Sequence, residues 1–238
     1  MSREVRVFDS SSDLAAAVAS DFLALVSSPP AGPVHEIALT GGTIAVKVHE
    51  AIASLAAESD VHWSRVQFWF GDERFVAATS PDRNAAQARE AMLDSLPGSL
   101  VREIPSSDDV ETAQEAAAAY AATLRAEGTG GFTVAMFGLG PDGHVASLFP
   151  GHASLHATET IAIAELDSPK PPPERVSLTF EALNRQTGQQ WFLVSGEEKA
   201  EAVARALADD GSVEETPARG LTCPHQTWYL DRAAASRL

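Results

Sequence analysis

Residues 132–151, FTVAMFGLGPDGHVASLFPG, join an apolar run to a loop that holds three glycines, a proline, an aspartate and a histidine between Gly138 and His144. FTVAMF lacks polar alternation, which predicts a strand buried on both faces. What the chain does next decides the fold. The loop matches G-x-G-x-x-G literally, and Glu165 follows about twenty residues on, where the ribose-binding acid of a dinucleotide fold would stand. That reading requires a helix of about ten residues or more before the next strand. Pro150 and Gly151 cut the segment to one or two turns. Pro141 and Asp142 also crowd the point where bare backbone must approach a pyrophosphate. The stretch therefore reads as a parallel strand that delivers a catalytic or binding loop rather than a dinucleotide turn.

Two further readings compete for the loop. A zinc site would draw on His144, His152 and His156, but their spacings fit no helical zinc motif and no cysteine stands near them. The alternative is a loop that presents a base. Asp142 lies two residues before His144, and a carboxylate so placed holds an imidazole in one tautomer and raises its basicity. An imidazole that ordinarily titrates near neutrality suits proton abstraction from water. A lone histidine more often fills a turn; these neighbours, at a strand's carboxyl end, favour the base.

Outward from this stretch, short apolar runs alternate with Ala-rich segments of helical length. Strands are expected over 4–8, 35–40, 65–70, 132–137, 160–164, 175–179, 191–195 and 226–230. Helices are expected over 10–27, 44–57, 84–94, 109–126 and 196–207, with GDERFVAATSPD (71–82) as a long loop and DSPKPPPER (167–175) as a Pro-rich connector. The βαβα alternation predicts an α/β fold: one Rossmann-like domain over 1–238, with a mainly parallel sheet and helices on both faces. Ligands of such sheets bind at the carboxyl ends of the strands. The loops to examine are therefore 40–43, 71–82, 138–151 and 195–199.

Bulk properties narrow the function. Seventeen basic against 33 acidic residues give a formal net charge of −16, which repels nucleic acid and anionic lipid, so neither is expected as a partner. A phosphorylated ligand would need basic side chains gathered locally against that field. Cys223 is the only cysteine, so an intramolecular disulfide is impossible and a reducing, cytoplasmic location is expected. The N-terminus shows no signal-peptide pattern, and no window approaches a membrane span.

The candidate loops carry distinct chemistry. TGGT (40–43) follows a strand and opens a helix, so the backbone N–H groups around Gly41, Gly42 and Thr43 suit an anion. FGDER (70–74) sets Asp72, Glu73 and Arg74 side by side. A solvated charge cluster is the ordinary reading of such a run, but the Arg74 fork also suits phosphate or carboxylate. SGEEK (195–199) puts Lys199 in the first turn of a helix, where the macrodipole disfavours a cation unless an anion is near. Arg175 opens a strand rather than ending one, so its relation to the others depends on a strand direction that the sequence leaves open.

Together these motifs resemble the 6-phosphogluconolactonase family along nearly the whole chain: LTGGT (39–43), FWFGDERFV (68–76) with SPDRNAAQARE (80–90), FGLGPDGHVASLFPG (137–151), RVSLTFEALN (175–184) and FLVSGEEKAEAV (192–203). The resemblance implies the fold shared by glucosamine-6-phosphate deaminase, ribose-5-phosphate isomerase and CoA-transferases. It implies hydrolysis of 6-phospho-D-glucono-1,5-lactone, with no cofactor and no metal, by a monomer. On that basis His144 matches the catalytic histidine, with Asp142 beside it and Arg74 near substrate. Lys199 and Arg175 match phosphate-holding positions, Gly41, Gly42 and Thr43 form an anion nest, and Asp72 joins the substrate contacts. The glycine loop departs from the family's usual S-G-G-S-T-P by lacking the proline. The alternatives are a deaminase, for which M-D-E-Y would replace GDER and A-F-N-E-P would replace ASLFPG, and a non-catalytic sugar-phosphate binder.

Overall fold

The computed structural model describes residues 2–238. Ten strands and six α-helices follow one another as β1 (Ser2–Phe8), α1 (Ser11–Ser27), β2 (His35–Leu39), α2 (Thr43–Ala56), β3 (Val66–Phe70), β4 (Asp72–Arg74), α3 (Asn84–Ala91), β5 (Leu100–Val101), α4 (Ala113–Glu127), β6 (Val134–Phe137), β7 (Ala162–Glu165), β8 (Arg175–Leu178), α5 (Phe180–Asn184), β9 (Gln189–Val194), α6 (Ala200–Leu207) and β10 (His225–Asp231). Seven strands form a sheet in the order β1-β10-β9-β6-β2-β3-β5, and every pairing in it is parallel. β4, β8 and β7 form a second, antiparallel sheet.

The parallel sheet follows from its sequence. Every residue of β2, β3 and β6 is buried, as a sheet covered on both faces requires. One consequence is a buried carboxylate, Glu36, in β2. It is reconciled by the indole N–H of Trp69 and by the backbone N–H of Thr129 at 2.9 Å. On one side α1 packs against α2. On the other, α4 packs on β7 and β8 and sends Tyr120 to the end of β3, where its hydroxyl accepts from Phe70 N–H at 2.8 Å and donates to Phe70 C=O at 3.0 Å. Buried side chains of both sheets belong to a single hydrophobic cluster. The helix starts are capped as their sequences suggest: Ser10 accepts from Asp13 N–H, and Thr112 forms a reciprocal capping box with Glu115.

Expectation and structure differ at several points. The segment 71–82 is not all loop, because its first residues form β4. The strands expected at 160–164 and 175–179 do not join the parallel sheet. They run as β7 and β8 in the antiparallel one, where short strands of mixed polarity gave no clue to direction. The helix expected over 196–207 begins as a 3-10 turn, Glu197–Lys199, before α6. The two-residue strand β5 and the five-residue helix α5 were not anticipated, being too short to show a period.

Candidate active site

The carboxyl ends of β2, β6 and β9 and the second sheet together wall a cavity of about 560 Å3. All four loops singled out in the sequence contribute to it. His144, Arg74, Asp72, Arg175, Lys199 and the 41–43 turn all line it, while Asp142 stands just behind His144.

The loop after β6 is wound tightly enough to fold its own side chains together. Gly140 N–H donates to His144 C=O at 3.0 Å, and Gly143 N–H donates to Gly140 C=O at 2.9 Å. Gly143 has φ +92°, a conformation that favours glycine. A Cβ at Gly140 would overlap both His144 Nδ1 and Asp142 Oδ1, so this glycine makes room for the pair. His144 Nδ1 lies 2.5 Å from Asp142 Oδ1. Partial burial would raise the Asp142 carboxyl, but the hydrogen bond and charge of the His144 ring, the His144 backbone N–H and the charge of Lys170 together hold it well below the usual carboxylate range. An ionised carboxylate only accepts hydrogen bonds, so Nδ1 carries the proton and Nε2 is the nitrogen left to act as acceptor. Phe149 packs on the imidazole with ring centroids 4.6 Å apart.

The glycine turn lies opposite. Gly42, at φ +98°, is the N-cap of α2 and offers no side chain, so the first N–H groups of this 14-residue helix are left for an anion or solvent. Thr40 Oγ1 accepts from Gly138 N–H at 3.3 Å, which joins this turn to the histidine loop.

The antiparallel sheet answers the question that Arg175 posed. β8 runs against β4 and pairs Arg175 with Arg74 in register; that reversal brings a strand's first residue to the cavity. The role implied for Arg175 is only partly matched. Its Nε and Nη2 donate to the carbonyls of Pro172, Lys170 and Pro171 at 3.1–3.3 Å, and its guanidinium sits over Phe149. Much of its donor set therefore holds the 170–172 strap. Burial, then the charge of Arg74, lower its pKa against the opposing pull of Asp72. Lys199 is also lowered, by burial and by the charge of Lys170. An anion bound between such cations would relieve both effects.

The ordinary reading of GDER as a solvated charge run fails. Asp72 and Glu73 are buried. Asp72 accepts from Ser147 Oγ at 2.7 Å and from Asn84 Nδ2 at 3.3 Å. Among the lining residues that the sequence reading did not name are Lys47, Asn84 and Lys170. Lys47 falls one turn into α2, on the face that the glycine turn aims at the cavity, and that offset was a usable signal. Asn84 at the start of α3 and Lys170 in the Pro-rich connector gave none, because each reaches the cavity only through the tertiary fold. Among the described residues no cluster of three His, Cys, Asp or Glu could hold a metal. His152 lies 3.2 Å from Glu165 instead.

A His–Asp pair, a glycine-turned helix start and converging cations at the carboxyl edge of a parallel sheet are the arrangement of an α/β enzyme for a small anionic ligand. The chain belongs to the family described as glucosamine-6-phosphate isomerases/6-phosphogluconolactonase, which matches residues 9–230. It is 42% identical over 217 residues to a 6-phosphogluconolactonase of Streptomyces coelicolor, covering 85% of this chain and 81% of that one. To the 6-phosphogluconolactonase of Mycobacterium tuberculosis it is 37% identical, covering 100% of this chain and 99% of that one. Among solved structures, the 6-phosphogluconolactonase of Trypanosoma brucei superimposes with a TM-score of 0.84 at 28% identity, over 100% of this chain and 99% of that one.

Proposed function

We propose that this protein hydrolyses 6-phospho-D-glucono-1,5-lactone to 6-phospho-D-gluconate, acting as a cytoplasmic monomer. The observation that carries the reading is the Asp142–His144 pair, with Nε2 left available at a cavity ringed by Lys47, Arg74, Lys170 and Lys199. Relatives at 37–42% identity bearing the lactonase name support the same substrate.

The chemistry follows from the residues. The phosphate is held by Lys170 and Lys199, with the N–H groups of the 41–43 turn as a nest. His144 Nε2 takes a proton from a water as the water oxygen attacks the lactone carbonyl carbon. Asp142 keeps Nδ1 protonated and offsets the charge of the imidazolium. Arg74 faces the negative charge that develops on the carbonyl oxygen. Collapse of the tetrahedral intermediate breaks the bond from the carbonyl carbon to the ring oxygen, and His144 returns its proton to that leaving oxygen. General base catalysis of this kind contributes about 10²–10⁴-fold, and positioning through the phosphate adds to it. No step calls for a cofactor.

The test is the hydrolysis rate of freshly generated lactone with and without enzyme, run beside a glucosamine-6-phosphate deamination assay. A rate well above buffer with no deamination is expected. A rate equal to buffer removes the lactonase reading, and deamination would replace it with the isomerase branch of the family.

A further inference from the structure

Glu73 has no part in the chemistry above, yet its buried carboxylate beside the cavity accepts three backbone hydrogen bonds. It is 1% exposed. Its Oε1 accepts from the backbone N–H of Arg74 at 2.8 Å and of Asn84 at 2.7 Å, and its Oε2 accepts from Ala85 N–H at 2.8 Å. Arg83 Nε stands 3.8 Å away. One side chain of β4 thus takes two of the free N–H groups that open α3, where a negative charge is also favoured by the helix dipole. With the same oxygen it pins the residue after itself, Arg74.

Asn84 carries the connection further. Its Nδ2 donates to Asp72 C=O at 2.9 Å, which turns its amide oxygen toward the glycine turn. That oxygen is buried and has no hydrogen-bond partner. It occupies the space that a Cβ at Gly41 would need. Leaving a buried acceptor unpaired is costly. A residue kept this way, wedged under the anion-binding turn, has a geometric task.

We propose that Glu73 is the positioning residue of the site: its carboxylate fixes Arg74 directly and, through the wedge of Asn84, sets the Gly41–Gly42 turn. Two cavity elements from different sheets are thereby indexed to one buried carboxyl group. The inference rests on the lactonase reading, and it assigns Glu73 no contact with substrate. A carboxylate that merely capped α3 would support stability and leave the site's function per folded molecule unchanged.

The test is a pair of mutant cycles, each read as kcat/KM for lactone and as calorimetric affinity for 6-phosphogluconate, with thermal unfolding to confirm the fold. Glu73→Gln presents an N–H₂ where an N–H acceptor is required. We expect a loss of about 10-fold or more in the wild-type background and a clearly smaller loss in an Arg74→Ala background, where only the route through Asn84 remains. Equal losses in both backgrounds overturn the proposal, as does a lowered melting temperature with undiminished kcat/KM. The second cycle stands even if Glu73→Gln does not fold. Gly41→Ala should lose activity through overlap with the Asn84 amide, and Asn84→Ala in the same chain should recover at least about 5-fold of it. No recovery overturns the wedge. A wild type that binds 6-phosphogluconate without turning over lactone would sink the lactonase reading while leaving both cycles legible as affinities.

Discussion

The two sheets make different contributions to one cavity. The seven-stranded parallel sheet supplies loops: the glycine turn after β2, the histidine loop after β6 and the lysine turn after β9. The three-stranded antiparallel sheet supplies strand residues, Asp72 and Arg74 from β4 and Arg175 from β8. In the first, a tight backbone places the reactive groups, and a glycine stands at each turn. In the second, strand register does so, and buried ion–dipole contacts hold it. In the proposed mechanism the proton chemistry falls to the parallel sheet, and the smaller sheet supplies part of the fixed charge. Substitutions in the histidine loop should therefore reduce kcat, whereas substitutions of the phosphate-holding groups, Lys199 on the first sheet and Lys170 beside the second, should chiefly raise KM.

The sharpest break is His144→Ala. It removes the proposed base and should lower kcat by about 10²–10⁴-fold while affinity for 6-phosphogluconate stays within a few-fold. Stopped-flow hydrolysis with parallel calorimetry measures both. Equal rates in the variant and wild type would move the base to the other sheet, with Asp72 the next residue to test. Gly140→Ala should rank second, near 10²-fold in kcat, because its Cβ overlaps His144 Nδ1 and Asp142 Oδ1 and a misplacement of about 1 Å costs that much. Retained activity there would mean that the pair does not need the tight turn.

Arg175→Lys sharpens the other half. The variant keeps the charge but loses the fork that takes three carbonyls of the 170–172 strap. If strap-holding is its role, KM rises about 10-fold with kcat nearly unchanged, and Lys170→Ala adds little to that loss. If Arg175 instead holds the phosphate itself, the two losses multiply.

The same division explains what could be read from the sequence. The parallel sheet was legible because strands buried on both faces are continuous apolar runs, and because glycines mark its site loops. The 41–43 turn and the loop that carries His144 were singled out on those signals, Asp142 by its spacing from His144, and Lys199 as a cation in the first turn of a helix. The antiparallel sheet was legible only as two of its strands, β7 and β8, and not as a sheet. β4 is three residues of charge, Asp-Glu-Arg, which in sequence is indistinguishable from a solvated run. Glu73 and Asp72 are buried only because β8 and α3 close over them. Arg175 stood out only as a cation that opens a strand, its phosphate role came from the resemblance, and its direction became meaningful only once β8 was seen to run against β4. Lys170 looked like part of a connector because nothing local shows that Arg175 folds the connector back.

The smallest expected effect on turnover, none at neutral pH, comes from a buried group that neither sheet uses. His49 lies on α2, two turns below the glycine turn, 2% exposed and with Nδ1 unpartnered. Burial lowers its pKa from 6.5 to about 4. Above pH 6.5 it is neutral in the folded and unfolded chains alike and has no effect on the pH dependence of stability. As pH falls from 6.5 to about 4, the unfolded chain takes up a proton that the folded one does not, and stability declines by an amount on the order of 3 kcal/mol. Glu73 has the opposite sign. Burial pushes it up to about 7 against Arg83 and three backbone N–H groups, so its contribution is full below about pH 4.5 and is lost as pH rises through 7. Urea unfolding of the wild type and His49→Leu at pH 7.5 and 4.5 separates the two. His49→Leu should match wild-type turnover at pH 7.5 and lose much less stability between the two pH values. An identical decline in both proteins would mean that His49 already takes up its proton in the folded state.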